Sequence, residues 1–196
     1  MNESNGHPSS KIGDEENIMT SLSQNNPLQD ERFLALYQAS IDLVQEFSLD
    51  TLLEKLAVIA MEQTSASFAA VGTLDENGNL EKFIPIGMTR HQIDQMAEQP
   101  MGKGLIGLVM NSPVSIRIRD IASDPRSAGF PPFHPNMKTF LGVPIRHGSR
   151  PLGQIYLTDK RDGEEFTAQD QYLIEMLAAY AAVAISNARL YRSLIQ

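Results

Sequence analysis

Few side chains in this sequence are equipped for covalent or metal chemistry. There are no cysteines and only four histidines, His7, His91, His134 and His147. The missing thiols exclude disulfide frameworks, thiolate zinc sites, Cys-held iron–sulfur clusters, Cys nucleophiles and thioether-linked chromophores. Four scattered imidazoles argue against a multi-histidine metal site. His91 falls in a polar helical stretch and His147 beside Gly148 in a turn, both places where an imidazole is solvated. His134 differs, because Pro131, Pro132 and Pro135 surround it. Prolines fix the backbone, so His134 loses little entropy on binding a partner. Gly102-Lys103-Gly104-Leu105-Ile106-Gly107 has the outward form of a dinucleotide fingerprint but lacks the preceding buried strand of a βαβ unit. No nucleophile-elbow pattern occurs. Met88, Met96, Met101, Met110 and Met137 are expected to fill core space.

The elements that must position these residues follow from periodicity. Residues 1–27 are rich in Ser, Asn, Glu and Gly and read as a disordered tail. Residues 28–47 carry one apolar stripe, Phe33, Leu36, Tyr37, Leu43, Val44 and Phe47, at helical spacing. A second helix is expected over 48–64, with Asp50 capping its start and Leu52, Leu53, Leu56, Ile59 and Ala60 facing inward. Phe68–Leu74 and Leu80–Ile86 flank an Asn77-Gly78 turn, as a β-hairpin does. A polar helix over 89–98 is expected next, then a short helix after the glycine-spaced turn at 101–109. Val114–Ile118 alternates apolar and polar like a half-buried strand. The proline-dense stretch 120–135 must be loop, and loops of that length in a compact domain are usually functional or mobile. Two more strands, Thr139–Arg146 and Leu152–Thr158, meet at His147–Pro151. Thr167 and Asp170 form a capping box for a long final helix, whose stripe includes Leu173, Leu177, Tyr180, Ala184, Ala188, Tyr191 and Leu194.

This order predicts an α+β domain. Its sheet of five or six mostly antiparallel strands has the terminal helices on one face and loops and short helices on the other. The net charge of -8 and pI near 5.0 make nucleic acid a poor partner. No run of 18 or more consecutive apolar residues is present, and Met1-Asn2-Glu3-Ser4-Asn5 opens no signal sequence, so a cytoplasmic chain with no membrane partner is expected.

Four segments carry a family resemblance: Phe140-Leu141-Gly142-Val143-Pro144-Ile145, Leu152-Gly153-Gln154-Ile155-Tyr156-Leu157, Phe166-Thr167-Ala168-Gln169-Asp170, and Ala184-Ile185-Ser186-Asn187-Ala188-Arg189-Leu190-Tyr191. In order and spacing, 48–196 resembles the GAF domains, small-molecule-binding sensory modules. That family's Asn-Lys, Phe, Asp-Glu motif is matched by Asp159-Lys160, Phe166 and Asp170-Gln171. The resemblance implies a Lys160–Asp170 fastening salt bridge; the changed Asn and Glu weaken any likeness to the cyclic-nucleotide-binding branch. Gly129–Pro144 resembles more narrowly the loop of haem-binding GAF domains in dormancy-survival oxygen and redox sensor kinases. That group often has two histidines followed by two prolines where this chain has Phe133-His134-Pro135-Asn136. The likeness implies haem b, with His134 as the proximal metal ligand and Tyr156 on the distal side. Phe133, Met137, Leu141, Met88, Leu105 and Ile106 are the expected pocket walls, with Phe83, Ile86 and Val109 beside them. Haem iron needs such an axial nitrogen, an apolar cavity and control of its opposite face.

The functional expectation is therefore a sensory domain that is not itself an enzyme. It would sense a diatomic gas or redox state through haem and signal through its terminal helices. Its partners would be a second copy of the chain and a downstream histidine kinase or other signalling protein. Two alternatives stand beside it: a pocket for a nucleotide or other small metabolite without haem, and a ligand-free dimerisation module held by the helices around 33–47 and 173–194. GAF-type methionine sulfoxide reductases use Cys nucleophiles, which this chain lacks.

Overall fold

Strand-forming runs dominate the middle of the chain, and the longest of them has to be buried on both sides. Arg150–Lys160 contains Leu152 to Thr158 with no exposed residue, so neither face of that strand can meet water. The computed structural model describes residues 27–44, 46, 48–95, 104–130 and 134–194, and the chain divides into two compact units, 1–35 and 36–196. The disordered-tail expectation for 1–27 lies outside the described residues except at Pro27.

The elements are α1 (Pro27–Val44), α2 (Leu49–Thr64), β1 (Ala66–Leu74), β2 (Leu80–Ile86), α3 (Arg90–Gln95), α4 (Gly104–Met110), β3 (Ile116–Ile118), a 3-10 turn (Ile121–Ser123), β4 (Phe140–His147), β5 (Arg150–Lys160) and α5 (Ala168–Leu194). In the first unit the described residues belong to the start of α1. In the second, Leu36 and Leu43 of α1 are buried, and the Ser40 hydroxyl donates to the Leu36 carbonyl at 2.7 Å.

The five strands form one antiparallel sheet in the order β2-β1-β5-β4-β3. The α+β class and layering expected from sequence are what the chain adopts, with five strands. The β1–β2 turn works through Asp75, whose carboxylate accepts the backbone N–H of Asn77 and of Asn79, each at 2.8 Å. Gly78 then supplies a φ of +82° that costs other residues steric strain.

Pleating assigns the two faces. Val71, Leu141, Val143, Ile145, Ile155 and Leu157 share one face and are fully buried. Against that face lie Leu52, Leu53, Leu56 and Ala60 of α2 and Leu173, Ile174, Leu177, Ala181, Ala184, Ile185 and Ala188 of α5. Each large aliphatic side chain buried there stabilises the fold by about 1.5–3 kcal/mol. Leu177 has no exposed surface, so a charge placed there strikes the core rather than a dimer interface. By length and composition α5 satisfies a membrane-span criterion over an 18-residue window, although no uninterrupted apolar run is present; half of that window is buried in this fold.

The helix ends are fixed by short polar contacts. Ser48, not Asp50, caps α2, its hydroxyl accepting the Thr51 N–H at 3.5 Å. Asp50 instead pairs with Lys82 of β2. At the start of α5 the expected capping box is present: Thr167 Oγ1 accepts the Asp170 N–H at 3.1 Å, and Asp170 accepts the Thr167 N–H at 2.9 Å. Lys160 Nζ reaches the same buried carboxylate at 3.1 Å, forming the fastening pair between β5 and α5.

Burial pushes the Asp170 carboxyl upward, but the Thr167 and Lys160 hydrogen bonds outweigh it and hold the pKa below its ordinary value. The pair's stabilisation is complete above the unfolded carboxylate's value of about 3.9 and is lost as pH falls through the lower folded value. Asp170→Ala should cost about 3 kcal/mol at neutral pH, since it removes the cap of α5 and leaves the Lys160 ammonium only the 3.9 Å contact with Asp162. Urea unfolding of wild type and variant from pH 7 to pH 2 checks this: the gap must close at the acid end, and a constant gap would refute the pair's ionic role.

Candidate functional site

The opposite face of the sheet is built from alternate residues of the same strands. The register Ile116↔Gly142, Gly142↔Tyr156 and Tyr156↔Ala70 places these four side by side, with Phe140 and Phe68 across Thr158 in the next row. A second apolar cluster gathers here: Ala70, Leu105, Val109, Ile118, Ile121, Met137, Phe140 and Tyr156 are buried, and Phe68, Phe83, Met88, Ile106, Leu108, Ile116 and Phe130 pack on its margin. The sheet is the floor. The roof is α4, the 3-10 turn, Phe130 and Met137. Gly142 makes this close approach possible, since a Cβ there would collide with Val109 and the Phe140 ring.

The site residues expected from sequence divide into three groups. Met88, Leu105, Ile106, Met137 and Tyr156 come together in this cluster, with Phe83 and Val109. Leu141 and Ile86 do not: Leu141 precedes Gly142, and Ile86 pairs with Ala69, so the pleat turns both to the α2–α5 side. Phe133 lies outside the described residues.

His134 is half-buried on the loop leading to β4. Its ring stacks on Phe130, with centroids 4.9 Å apart and an interplanar angle of 14°. Nδ1 lies 2.8 Å from the Pro135 carbonyl. A carbonyl only accepts, so this contact places the proton on Nδ1 and leaves the Nε2 lone pair available. The loop's far end is tied to β5 by Asp159, whose carboxylate accepts the N–H of Lys138 at 2.7 Å and of Thr139 at 2.9 Å. Asp159 takes the left-handed conformation (φ 51°), which Asp and Asn tolerate better than other side chains.

Tyr156 is 4% exposed, between Phe83 and Phe140 with ring centroids 6.1 and 6.2 Å away. Its hydroxyl lies 3.3 Å from Gln154 Oε1 and 3.5 Å from the Ile106 carbonyl, both longer than an ordinary O–H···O bond. Gln154 is 1% exposed on the same face. Sequence reasoning missed Gln154 and Phe130. The period of two from Tyr156 was a signal for the first; nothing local marks the second.

A porphyrin on His134 can be tested against this geometry. The donor fits: one imidazole with a free Nε2 stands beside an apolar cluster. The space does not fit as packed, because Leu105, Met137, Phe140 and Tyr156 fill the face and are each less than a tenth exposed. Among the described residues no group of three or more His, Asp or Glu is placed to hold a metal ion. Two open clefts lie elsewhere, one of 410 Å³ between β4, α5 and residues 113–115, the other of 240 Å³ beside the β1–β2 turn and the end of α5.

Burial alone pushes the Tyr156 phenol above its usual range, because phenolate is poorly solvated there. In an alkaline titration followed by phenolate absorbance, Tyr156 should ionise in a late phase above the ordinary tyrosine range. Tyr156→Phe should remove that late phase; an early phase lost instead would contradict the burial.

Comparison with known proteins places this geometry. A GAF domain family model matches residues 47–186. The Nif-specific regulatory protein of Herbaspirillum seropedicae is 22% identical over 164 residues, 82% of this chain and 30% of that protein. The dual 3',5'-cyclic-AMP and -GMP phosphodiesterase 11A of Takifugu rubripes is 25% identical over 178 residues, 82% of this chain and 19% of the enzyme. The chain thus spans less than a third of either relative. Among solved structures, the GAF domain from a phosphoenolpyruvate-protein phosphotransferase of Coxiella burnetii superposes with a TM-score of 0.71 at 22% identity, covering 84% of this chain and 98% of that one. The free methionine-R-sulfoxide reductase of Neisseria meningitidis, in complex with its substrate, gives 0.67 at 14% identity, covering 86% and 96%. These likenesses show a shared fold, and with the family match over residues 47–186 they establish that this chain belongs to the GAF domain family.

Proposed function

We propose that this chain is a regulatory sensor module that binds a small molecule between the Tyr156 face of its sheet and the α4 roof. The observation that carries this reading is a second apolar cluster with a buried amide and phenol at its floor, neither in a close hydrogen bond. The relatives are a regulatory protein by name and a phosphodiesterase, each far longer than this chain, so regulation of an attached or partner output domain, such as a histidine kinase, is the matching role.

Haem b on His134, with gas or redox sensing, is the narrower reading. It is favoured by the Pro135 contact that leaves Nε2 free. It requires the roof to part from the sheet.

The output path is α5. Its outward face carries Val183, Asn187, Leu190 and Leu194 at steps of four, three and four, the pattern of a coiled-coil seam with one polar position. Pairing of two copies along this seam is part of the proposal. Leu190→Glu, which leaves the core untouched, should convert a dimer to a monomer by sedimentation; an unchanged dimer would remove α5 from the interface.

Absorption spectra and mass spectrometry of denatured extracts test the ligand. Wild type, His134→Ala and Leu105→Trp are compared after expression with haem supply. A Soret band lost in His134→Ala supports haem. A colourless wild type that refuses hemin ends that reading. A released small molecule absent from Leu105→Trp supports the pocket, and identical extracts from wild type and Leu105→Trp count against it.

A further inference from the structure

We infer that Gln154 and Tyr156 are the specificity-determining couple of this pocket, and that they select a flat, uncharged ligand presenting a hydrogen-bond acceptor such as a carbonyl or ring nitrogen. The inference rests on the reading of the Tyr156 face as a ligand site.

Three observations carry it. The first is polarity in the wrong place. A carboxamide and a phenol, 1% and 4% exposed, sit two residues apart on β5 beneath an apolar roof. Polar groups so buried are costly unless hydrogen-bonded. The Tyr156 hydroxyl has only the 3.3 and 3.5 Å contacts, and among the described residues the Gln154 amide nitrogen donates to nothing. A ligand acceptor placed between them would take the Gln154 N–H and draw the Tyr156 O–H away from its long contact with Gln154 Oε1.

The second is the room made for Gln154. It lies across from Gly72 on β1, where a Cβ would stand 2.9 Å from Leu80 Cδ1 and 3.3 Å from the Gln154 Oε1. A side chain on residue 72 would press on the amide. The third is charge. The apolar cluster around Tyr156 and the residues packed on its margin, from Phe68 and Phe83 to Ile116 and Phe130, include no charged side chain, and α4 reads GLIGLVM. A phosphate or carboxylate seated on this floor would be buried without a counter-charge, which several kcal/mol of desolvation oppose. Phe83 and Phe140, tilted 40° to Tyr156 on either side, offer ring faces to a planar molecule.

The probe is prodan, a neutral flat naphthalene with one carbonyl, whose emission moves to longer wavelength when that carbonyl accepts a hydrogen bond. Titrated into the full chain, it should bind saturably. Gln154→Leu should shift the bound emission to shorter wavelength and weaken binding about fivefold, the effect of one lost hydrogen bond. Tyr156→Phe, nearly isosteric, should act in the same direction. Anilinonaphthalene sulfonate, similar in size but anionic, should bind at least about tenfold more weakly than prodan. Unchanged emission and affinity in Gln154→Leu, equal or tighter sulfonate binding, or no prodan binding would each overturn the inference. Leu105→Trp separates the two failures: if it leaves prodan binding intact, the pocket itself is misplaced; if it abolishes binding that Gln154→Leu does not alter, only the couple's role falls.

Discussion

Everything in this fold depends on β5 being buried on both sides. An amphipathic strand needs one covering layer; a strand with no exposed residue from Leu152 to Thr158 needs two. The chain supplies them unequally. On one face are two helices of 16 and 27 residues carrying rows of Leu, Ile and Ala. On the other are a seven-residue helix, one 3-10 turn, Phe130 and Met137. The first layer is a core. The second is short and irregular, its hydrogen bonds running mostly between residues close in sequence, as from the Asp124 N–H to the Ile121 carbonyl, so in the proposed reading it is the layer that a ligand would displace.

In the proposed reading, the same asymmetry links the Tyr156 face to α5. The sheet is shared by both layers, so Tyr156 and Ile155 are neighbours in sequence that face opposite ways. Arg189 of α5 donates to the Leu74 carbonyl at 2.7 Å and to Glu81 at 2.8 Å, tying the helix's last turns to the β1–β2 hairpin that carries Ala70 and Phe83. Arg117 of β3 donates to Gln171 at 2.8 Å and the Phe166 carbonyl at 3.0 Å, tying its first turn to the opposite sheet edge. Under the proposed function these ties would carry a shift of the sheet to both ends of α5.

The strands, their antiparallel pairing and the Thr167–Asp170 cap were legible in the sequence because each is set by local signals: alternation, an Asn-Gly turn, a capping box. The Lys160–Asp170 pair was legible only through family resemblance. Leu141 was misplaced because β4 is buried on both faces over Phe140–Val143, and Ile86 because the edge strand β2 is half-buried along most of its length; neither pattern alternates, so register decides which residue points where, and register is non-local. Asp50 lost its capping role to Ser48, two residues earlier, because its carboxylate is taken by Lys82 on a strand 32 positions away. Gln154 escaped notice because a polar residue inside an apolar strand reads as exposed until its neighbours are known.

Native-state hydrogen exchange on the full chain tests the central claim most directly. If the Tyr156 face is covered by a layer that opens on its own, amides of Ile106–Met110 must exchange far faster than those of Gln154–Leu157, by an opening that leaves α5 protected. If α4 and β5 exchange at the same rate, through global unfolding only, the two layers are one rigid core and the account of a displaceable roof is wrong.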